Sequence, residues 1–153
     1  MNTAVKEFTQ TNGDLLYIEA IFKKTKNFDG TLGMYLKTDF KKSYTAVLVK
    51  SPNKVIVKRE YEGIDFMEEL KPLETDFDFE NEDTVQIQVL VDRSSVEAFF
   101  FGGLDSMTNL ALSNETCSGM VIFIDDINNT YVEKLSITVL QKTVPLSSET
   151  EVE

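Results

Sequence analysis

The chain has 153 residues, with 15 Lys and Arg against 26 Asp and Glu, so it suits one domain with its own core and carries a net charge of −11. That charge would repel phosphate backbones and anionic lipids, so neither nucleic acid nor a membrane is expected as a partner. One cysteine and the absence of histidine exclude an internal disulfide and the usual zinc sites, and no cofactor is expected.

The first 60 positions contain short segments in which apolar and polar residues alternate, separated by turn-forming residues. This period of two is typical of strands with one buried face, and its repetition predicts an all-β sandwich or barrel. Four strands are predicted here, at residues 16–22, 32–36, 44–49 and 55–57. Ser51, Pro52 and Asn53 form a favourable turn between the last two.

Residues 61–83 interrupt this rhythm, because the segment is acidic and contains Pro72. Its apolar residues have only a weak helical period. We predict a surface loop that is anchored by a few aromatic side chains, and the alternative is a single helical turn at residues 64–70.

Residues 85–101 form the clearest pattern, which is that of a β-hairpin. Apolar residues alternate along the first arm, and a second arm begins at Val96. Whether the chain reverses at residues 93–94 or over residues 92–95, the register is the same. The expected pairs are Val91 with Val96, Val89 with Ala98, and Ile87 with Phe100. One face is therefore wholly apolar, and the other carries Gln86, Gln88, Leu90, Glu97, Phe99 and Phe101.

The turn between the two arms has residues suited to chain reversal. The Asp92 carboxylate can accept a hydrogen bond from a backbone amide two residues further on, and Ser94 and Ser95 can do the same more weakly. Gly102 and Gly103 then end the second arm.

Three further apolar segments, at residues 107–112, 119–124 and 131–140, bring the predicted strands to about nine. In the last of them, residues 131, 133, 135, 137 and 139 alternate cleanly with the residues between them. We predict one antiparallel two-sheet β-sandwich over residues 1–141. Residues 142–153 are polar, acidic and interrupted by Pro145, so we expect a flexible tail or linker there.

The run VDRSSVEAFFFGG at residues 91–103, followed by SMTNLAL, resembles the hallmark of the C-terminal β-sandwich module of glycoside hydrolase family 32. This family includes invertases, levanases, inulinases and sucrose-6-phosphate hydrolases. Residues 13–22, 32–38 and 55–63 resemble other strands of the module, although Lys58 and Arg59 stand where the family often has Asp-Arg. The resemblance implies a lectin-like jelly roll of the concanavalin type, with structural motif residues Asp92, Arg93, Ser94, Ser95, Val96 and Glu97.

In that family, catalysis belongs to a separate N-terminal five-bladed propeller with W-M-N-D-P-N-G, R-D-P and E-C segments. None of these segments occurs here, so we expect no catalytic residue in this chain. The resemblance implies a parent glycosidase that hydrolyses β-fructofuranosidic bonds with retention, whose propeller this chain supports. The resemblance leaves open the parent substrate and a role in substrate access or oligomerisation. The first 15 residues lack the apolar centre of a signal peptide, but if the chain is a piece of a longer protein this does not decide between secretion and a cytoplasmic location.

The hairpin also raises two functional alternatives. Asp92 and Glu97 could be proposed as a catalytic carboxylate pair, since retaining glycosidases hold two carboxyls about 5 Å apart. The predicted register opposes this, because Asp92 lies in the turn and Glu97 lies opposite Leu90. Phe99 and Phe101 are too apolar for a face that meets only water, so they predict either cover by the acidic loop or a second sheet, or a docking surface for a missing catalytic module.

Two further groups of residues bear on binding. Asp125, Asp126, Asn128 and Asn129 offer oxygen ligands for calcium, but these residues are typical of turns and no metal is predicted. Tyrosines at positions 17, 35, 44, 61 and 131 could stack against sugars, although packing within strands explains most of them. An autonomous carbohydrate-binding module for fructan or another glycan is therefore the alternative function, and a lectin-like interaction domain in an unrelated protein is the third.

Overall fold

The computed structural model describes residues 4–9, 15–61, 71–110 and 117–141. The alternative helical turn at residues 64–70 and the predicted tail at residues 142–153 lie outside these ranges. Within them, the chain forms eleven β-strands in two antiparallel sheets that share one core. No helix in this part of the chain is long and apolar enough to cross a membrane. The predicted all-β sandwich is confirmed.

Sheet A has six strands and sheet B has five. The strand order in sheet A is β1 (Ala4–Thr9), β10 (Gly119–Ile124), β3 (Thr31–Thr38), β4 (Tyr44–Lys50), β5 (Lys54–Glu60) and β6 (Leu73–Asp76). The order in sheet B is β11 (Thr130–Gln141), β2 (Leu15–Lys24), β7 (Thr84–Val91), β8 (Ser95–Phe100) and β9 (Asp105–Leu110). A short 3-10 turn at Phe101–Gly103 separates β8 from β9.

The core lies between the sheets and is built from alternate residues of the strands. In β2 and β7 every second side chain is buried, as a period of two requires when one face of a sheet packs on another sheet. Tyr61 is also buried, and its hydroxyl lies 2.6 Å from that of Thr45. This large aromatic therefore enters the core without leaving an unpaired polar group.

Two strands lie where none was predicted. β1 precedes the first predicted strand, and β6 lies within the acidic segment that was expected to be a loop. All four residues of β6 are exposed, and backbone pairing with β5 holds the strand. An edge strand without a buried side chain shows no apolar period, so the loop prediction is wrong at these residues. Phe79, only 1% exposed, confirms that an aromatic side chain anchors the segment.

The last strand departs from its predicted alternation. A bulge after Val132 shifts the register of β11 against β2. Val132 pairs with Phe22 and Leu135 pairs with Ala20, so the register places both on the core side of sheet B, where Leu135 packs on the core and Val132, near the start of this edge strand, is 37% exposed. The prediction placed Val132 and Leu135 on opposite faces, and it is wrong because a bulge inserts a residue that a strict period of two does not include.

Candidate functional site

β7 and β8 form the predicted hairpin in the predicted register. The pairs are Val91 with Val96, Val89 with Ala98, and Ile87 with Phe100, and all six side chains are buried in the core. On the opposite face, Glu97 lies opposite Leu90 and Phe99 lies opposite Gln88. One face of the hairpin that carries the motif therefore packs in the core, and the other lies on the outer surface of sheet B.

The hairpin turn contains the motif residues Asp92, Arg93 and Ser94, which are exposed. The Asp92 N–H donates to the carbonyl oxygen of Ser95 at 2.9 Å, which closes the turn. The Asp92 carboxylate accepts a hydrogen bond from the Arg93 N–H at 2.7 Å. The carboxylate thus accepts from the backbone as predicted, but the donor is the next residue rather than the one after it.

Lys37, near the end of β3 in sheet A, anchors this turn from the other sheet. Its ammonium donates to the Arg93 carbonyl oxygen, and its side chain is 4% exposed. Burial lowers the pKa of Lys37 to about 8, while the nearby Asp92 charge opposes that shift. The sequence analysis missed this residue because lysine in an alternating strand ordinarily marks a solvent face, whereas the φ of 49° at Lys37 breaks the strand period.

Asp92 and Glu97 lie at different places in the hairpin. Asp92 is held within the turn, whereas Glu97 lies on the outer face of sheet B, in register with Leu90 and Thr108. This placement agrees with the register argument against a catalytic carboxylate pair.

Phe99 and Phe101, the predicted docking surface, have different surroundings. Phe99 lies on the outer face of sheet B, in register with Gln88 and Ser106, and is partly exposed. Phe101 lies beyond the strand with a φ of 52°, and its ring stacks on that of Phe77 with the centroids 4.4 Å apart. The acidic segment therefore covers Phe101 in part, whereas Phe99 makes no such ring contact with a residue that the structure describes.

The outer face of sheet B is crossed by a hydrogen-bond network that we call the polar face, formed by Tyr17, Glu19, Gln86, Gln88 and Lys134. The Glu19 carboxylate accepts from Lys134 at 2.8 Å, from Gln86 at 3.3 Å and from Gln88 at 3.4 Å. The Gln88 amide also donates to the Tyr17 hydroxyl at 2.5 Å. The hydrogen bond from Lys134 is the largest influence on the pKa of Glu19, which is lowered although burial opposes it.

The outer face of sheet A has a different composition. We call it the aromatic face, and it is formed by Tyr35, Tyr44, Leu48, Ile56, Val121 and Phe123. The Tyr35 ring packs edge-on against Tyr44 with centroids 5.2 Å apart and against Phe123 with centroids 6.0 Å apart. Burial raises the pKa of both Tyr35 and Tyr44. The sequence analysis missed this face, although β4 is apolar at both alternating sets of positions, as in strands that are covered on two sides.

Gly33 lies at the centre of the aromatic face. Its register partners are Phe123 in β10 and Leu48 in β4. Its φ is +146°, and a Cβ added there would lie 2.1 Å from the carbonyl oxygen of Val47. Only glycine fits this position, because any side chain would collide with the neighbouring backbone.

The loop between β10 and β11 is a hydrogen-bonded turn. The Asp125 carboxylate accepts from the Thr31 N–H at 2.7 Å, and the Asp126 carboxylate accepts from the Asp29 N–H at 3.1 Å. The Asn129 amide donates to Asp126 at 3.1 Å. Among the residues that the structure describes, no three acidic, cysteine or histidine side chains converge to hold a metal ion. Turn formation thus accounts for Asp125, Asp126 and Asn129, three of the four residues that also offered calcium ligands.

Comparison with solved structures finds relatives of two kinds. The fold is similar to that of exo-inulinase from Aspergillus awamori, with a TM-score of 0.65 and 17% identity over 90% of this chain and 27% of that chain. A fructofuranosidase from Schwanniomyces occidentalis gives a TM-score of 0.63 and 14% identity over 88% of this chain and 30% of that chain. Galectin LEC-6 from Caenorhabditis elegans gives 0.62 and 9% over 87% of this chain and 89% of that chain.

These likenesses concern the fold, and the chain spans less than a third of the length of the two enzymes. A search of curated proteins by sequence finds no significant match. The family described as "Glycosyl hydrolases family 32 C terminal" matches residues 1–139, which is nearly the whole chain and includes the hairpin with its buried valine layer. The chain therefore belongs to the C-terminal domain family of glycosyl hydrolases family 32.

Proposed function

We propose that this chain is the non-catalytic support module of a longer glycosidase that hydrolyses β-fructofuranosidic bonds, and that it docks on the catalytic propeller of that enzyme. The observation that carries the proposal is the aromatic face, an outer sheet surface formed by apolar side chains. Charged residues border it along β5 and β6, namely Lys54, Lys58, Glu60 and Glu74. An aromatic centre within a polar rim is typical of a protein–protein interface.

The two similar enzymes are much longer than this module, and their length supports the proposal. The module corresponds to 27% of the exo-inulinase chain and 30% of the fructofuranosidase chain. By analogy with these enzymes, the native polypeptide is several times longer than the 153-residue chain, and its reacting residues lie outside that chain. The aromatic face then gives the remainder of the polypeptide an apolar surface on which to pack.

Phe99 and Phe101 remain a second proposed docking surface. Phe101 already stacks on Phe77 and so has less free area to offer. Phe99 lies beside the polar face, where a partner would have to compete with water for the surrounding side chains. The aromatic face brings more apolar side chains together on one sheet surface, so it is the first to test.

The first experiment measures the size of the native polypeptide. An antibody raised against the 17.4 kDa chain is used on the source cells and their medium. We expect a band several times heavier than the chain, and the fraction that contains it gives the localisation of the parent. A single band at the size of the chain itself would contradict the support role and bring glycan binding to first place.

The second experiment tests the docking surface in that longer polypeptide. Phe123→Asp places a charge in the aromatic face, and Phe99→Asp does so at the alternative surface. Thr138→Asp is the matched control, at an exposed position on the outer side of sheet B. We expect Phe123→Asp alone to split the thermal unfolding into separate transitions and to reduce hydrolysis of sucrose or inulin at elevated temperature. If Phe123→Asp behaves like the control, the aromatic face does not dock.

A second candidate function is the binding of a glycan by the module itself. The observation that favours it is an exposed tyrosine, Tyr131, beside an open cleft at one end of sheet B. Titration of the 153-residue chain with inulin and levan tests it, since binding should release measurable heat. The absence of heat with every glycan would contradict this function and leave the support role unaffected.

A further inference from the structure

An open cleft of about 510 Å³ lies at the end of sheet B where β2 ends and β11 begins. We call it the Tyr131 cleft. Its walls come from the end of β2, the start of β7 and the turn before β11, and they include Lys23, Asp83, Asn128 and Tyr131. Sites for small ligands are concave and combine an apolar surface with a few polar groups that fix orientation. The cleft has this composition, and none of its residues belongs to the motif turn or to the aromatic face.

Tyr131 supplies the apolar surface. Its side chain is 61% exposed, whereas Tyr61 is 2% exposed and Tyr35 and Tyr44 pack against each other. In register, Tyr131 pairs with Lys23, so the ring lies on the outer side of sheet B at the edge strand. Packing therefore does not account for a tyrosine at this position, and its ring is available to a ligand.

Asp83 and Asn128 supply the polar groups. Both are exposed, and neither side chain makes a hydrogen bond with any residue that the structure describes. Asn129 in the same cleft differs, because it accepts from Thr25 at 2.9 Å and donates to Asp126 at 3.1 Å. A carboxylate and an amide thus remain beside the exposed ring, and together they can accept from and donate to neighbouring hydroxyl groups.

The charges of the cleft indicate which ligands it can accept. The Lys23 ammonium is bonded to the Thr84 hydroxyl at 2.8 Å and lies 3.8 Å from the Glu133 carboxylate. The Lys24 ammonium donates to the Glu80 carbonyl oxygen at 3.2 Å and is attracted by the nearby negative charge of Asp83. Both cations are therefore already engaged, and the net charge of −11 further disfavours an anionic ligand.

We propose that the Tyr131 cleft binds a neutral saccharide, with the C–H face of one sugar ring on Tyr131 and vicinal hydroxyls on Asp83 and Asn128. The proposal rests on the second function given above and is independent of docking on the propeller. A fructan or a galactoside could present this chemistry, so the experiment includes both, together with an anionic polysaccharide.

The test is isothermal titration of the complete 153-residue chain with an inulin-type fructo-oligosaccharide, a levan-type fructo-oligosaccharide, lactose and heparin. We expect binding to at least one of the three neutral sugars and none to heparin. Tyr131→Ala, Asp83→Asn and Asn128→Ala should each weaken binding, Tyr131→Ala by about tenfold or more. Phe40→Ala is the control, since it removes another exposed ring, 48% exposed, in the loop between β3 and β4 of sheet A, and should leave binding unchanged.

The outcomes separate failure of the site from failure of the function. If the wild-type chain binds none of the neutral sugars, both the saccharide site and the glycan-binding function are wrong. If it binds a sugar and all three cleft variants bind as well as Phe40→Ala, the function stands and this site is wrong. Preferential binding of heparin would contradict the proposal that the ligand is a neutral saccharide. Circular dichroism identifies any variant that does not fold, and the site is then judged on the remaining two cleft variants.

Discussion

Sheets A and B share one core, but their outer faces carry different chemistry. On the polar face of sheet B, the Glu19 carboxylate collects donors from Lys134, Gln86 and Gln88. On the aromatic face of sheet A, the Tyr35 ring packs edge-on against Tyr44 and Phe123. Polar side chains that hydrogen-bond to one another can also be exposed to water at little cost in free energy. An apolar sheet surface, by contrast, is stabilised when another surface covers it. The contrast supports our proposal that sheet A is the side that docks on the propeller.

The largest effect is expected at Gly33, at the centre of the aromatic face. In Gly33→Ala, the new Cβ would meet the Val47 carbonyl oxygen at 2.1 Å, at a φ of +146°. We expect the free energy of unfolding to fall by about 3 kcal/mol or more, measured by denaturation in urea. Gly103→Ala is the control, because its φ is +90° but no atom lies within 4 Å of the added Cβ. A similar loss in both variants would contradict the close backbone approach at Gly33.

The next effect concerns Lys37, which joins sheet A to the hairpin turn of sheet B. Folding lowers the pKa of Lys37 from 10.5 to about 8, so the folded chain binds fewer protons than the unfolded chain between these values. Stability therefore rises with pH in this window. We expect the wild type to gain about 2 kcal/mol relative to Lys37→Met between roughly pH 7 and pH 9.5.

Urea denaturation at several pH values measures this difference. The series stops at about pH 9.5, because tyrosines begin to ionise above it in the unfolded chain and the raised pKa values of Tyr35 and Tyr44 then reduce stability. The same pH slope in the wild type and in Lys37→Met would show that Lys37 is not buried as a charged group.

A smaller effect is expected when the aromatic face is altered in the 153-residue chain by itself. Phe123→Ala removes one edge-on ring contact from a partly exposed surface, so we expect a loss of about 1 kcal/mol in the free energy of unfolding. Phe100→Ala, on the core side of sheet B, is the comparison and should cost about 3 to 5 kcal/mol. Equal losses would mean that the aromatic face serves the folding of the module itself rather than a partner.

The smallest effect is expected on the polar face. Glu19→Gln keeps the shape of the side chain but removes the charge that Lys134 contacts, so we expect a loss of about 0.5 kcal/mol at neutral pH. Because folding lowers the pKa of Glu19, this contribution is present above the ordinary pKa of 4.5 and is lost as pH falls through the folded value. Thermal melts at about pH 7 measure the loss in Glu19→Gln, and melts at about pH 3 test whether that loss disappears when Glu19 is protonated. Glu97→Gln is the control on the same sheet face, and an equal change there would refute a specific role for Glu19.

The hairpin was predictable to the residue because two constraints agree. A period of two places the valines of β7 on one face, and the turn leaves a register in which Val91 meets Val96. β6 was not predictable, because its four exposed residues have no apolar period and depend on the backbone of β5. The bulge after Val132 was not predictable either, since its cause lies in the pairing with β2 and not in the local pattern.

The sequence alone determined the strand periods, the core residues of the hairpin and the family motif, since alternation and turn chemistry act between residues close in the chain. Only the tertiary structure decided that Lys37 meets the turn at Arg93, that Phe123 and Leu48 flank Gly33, and that Tyr131 borders a cleft with Asp83. These contacts depend on which strands become neighbours across and between the sheets. Strand order follows from the global burial of apolar faces, which no local period encodes.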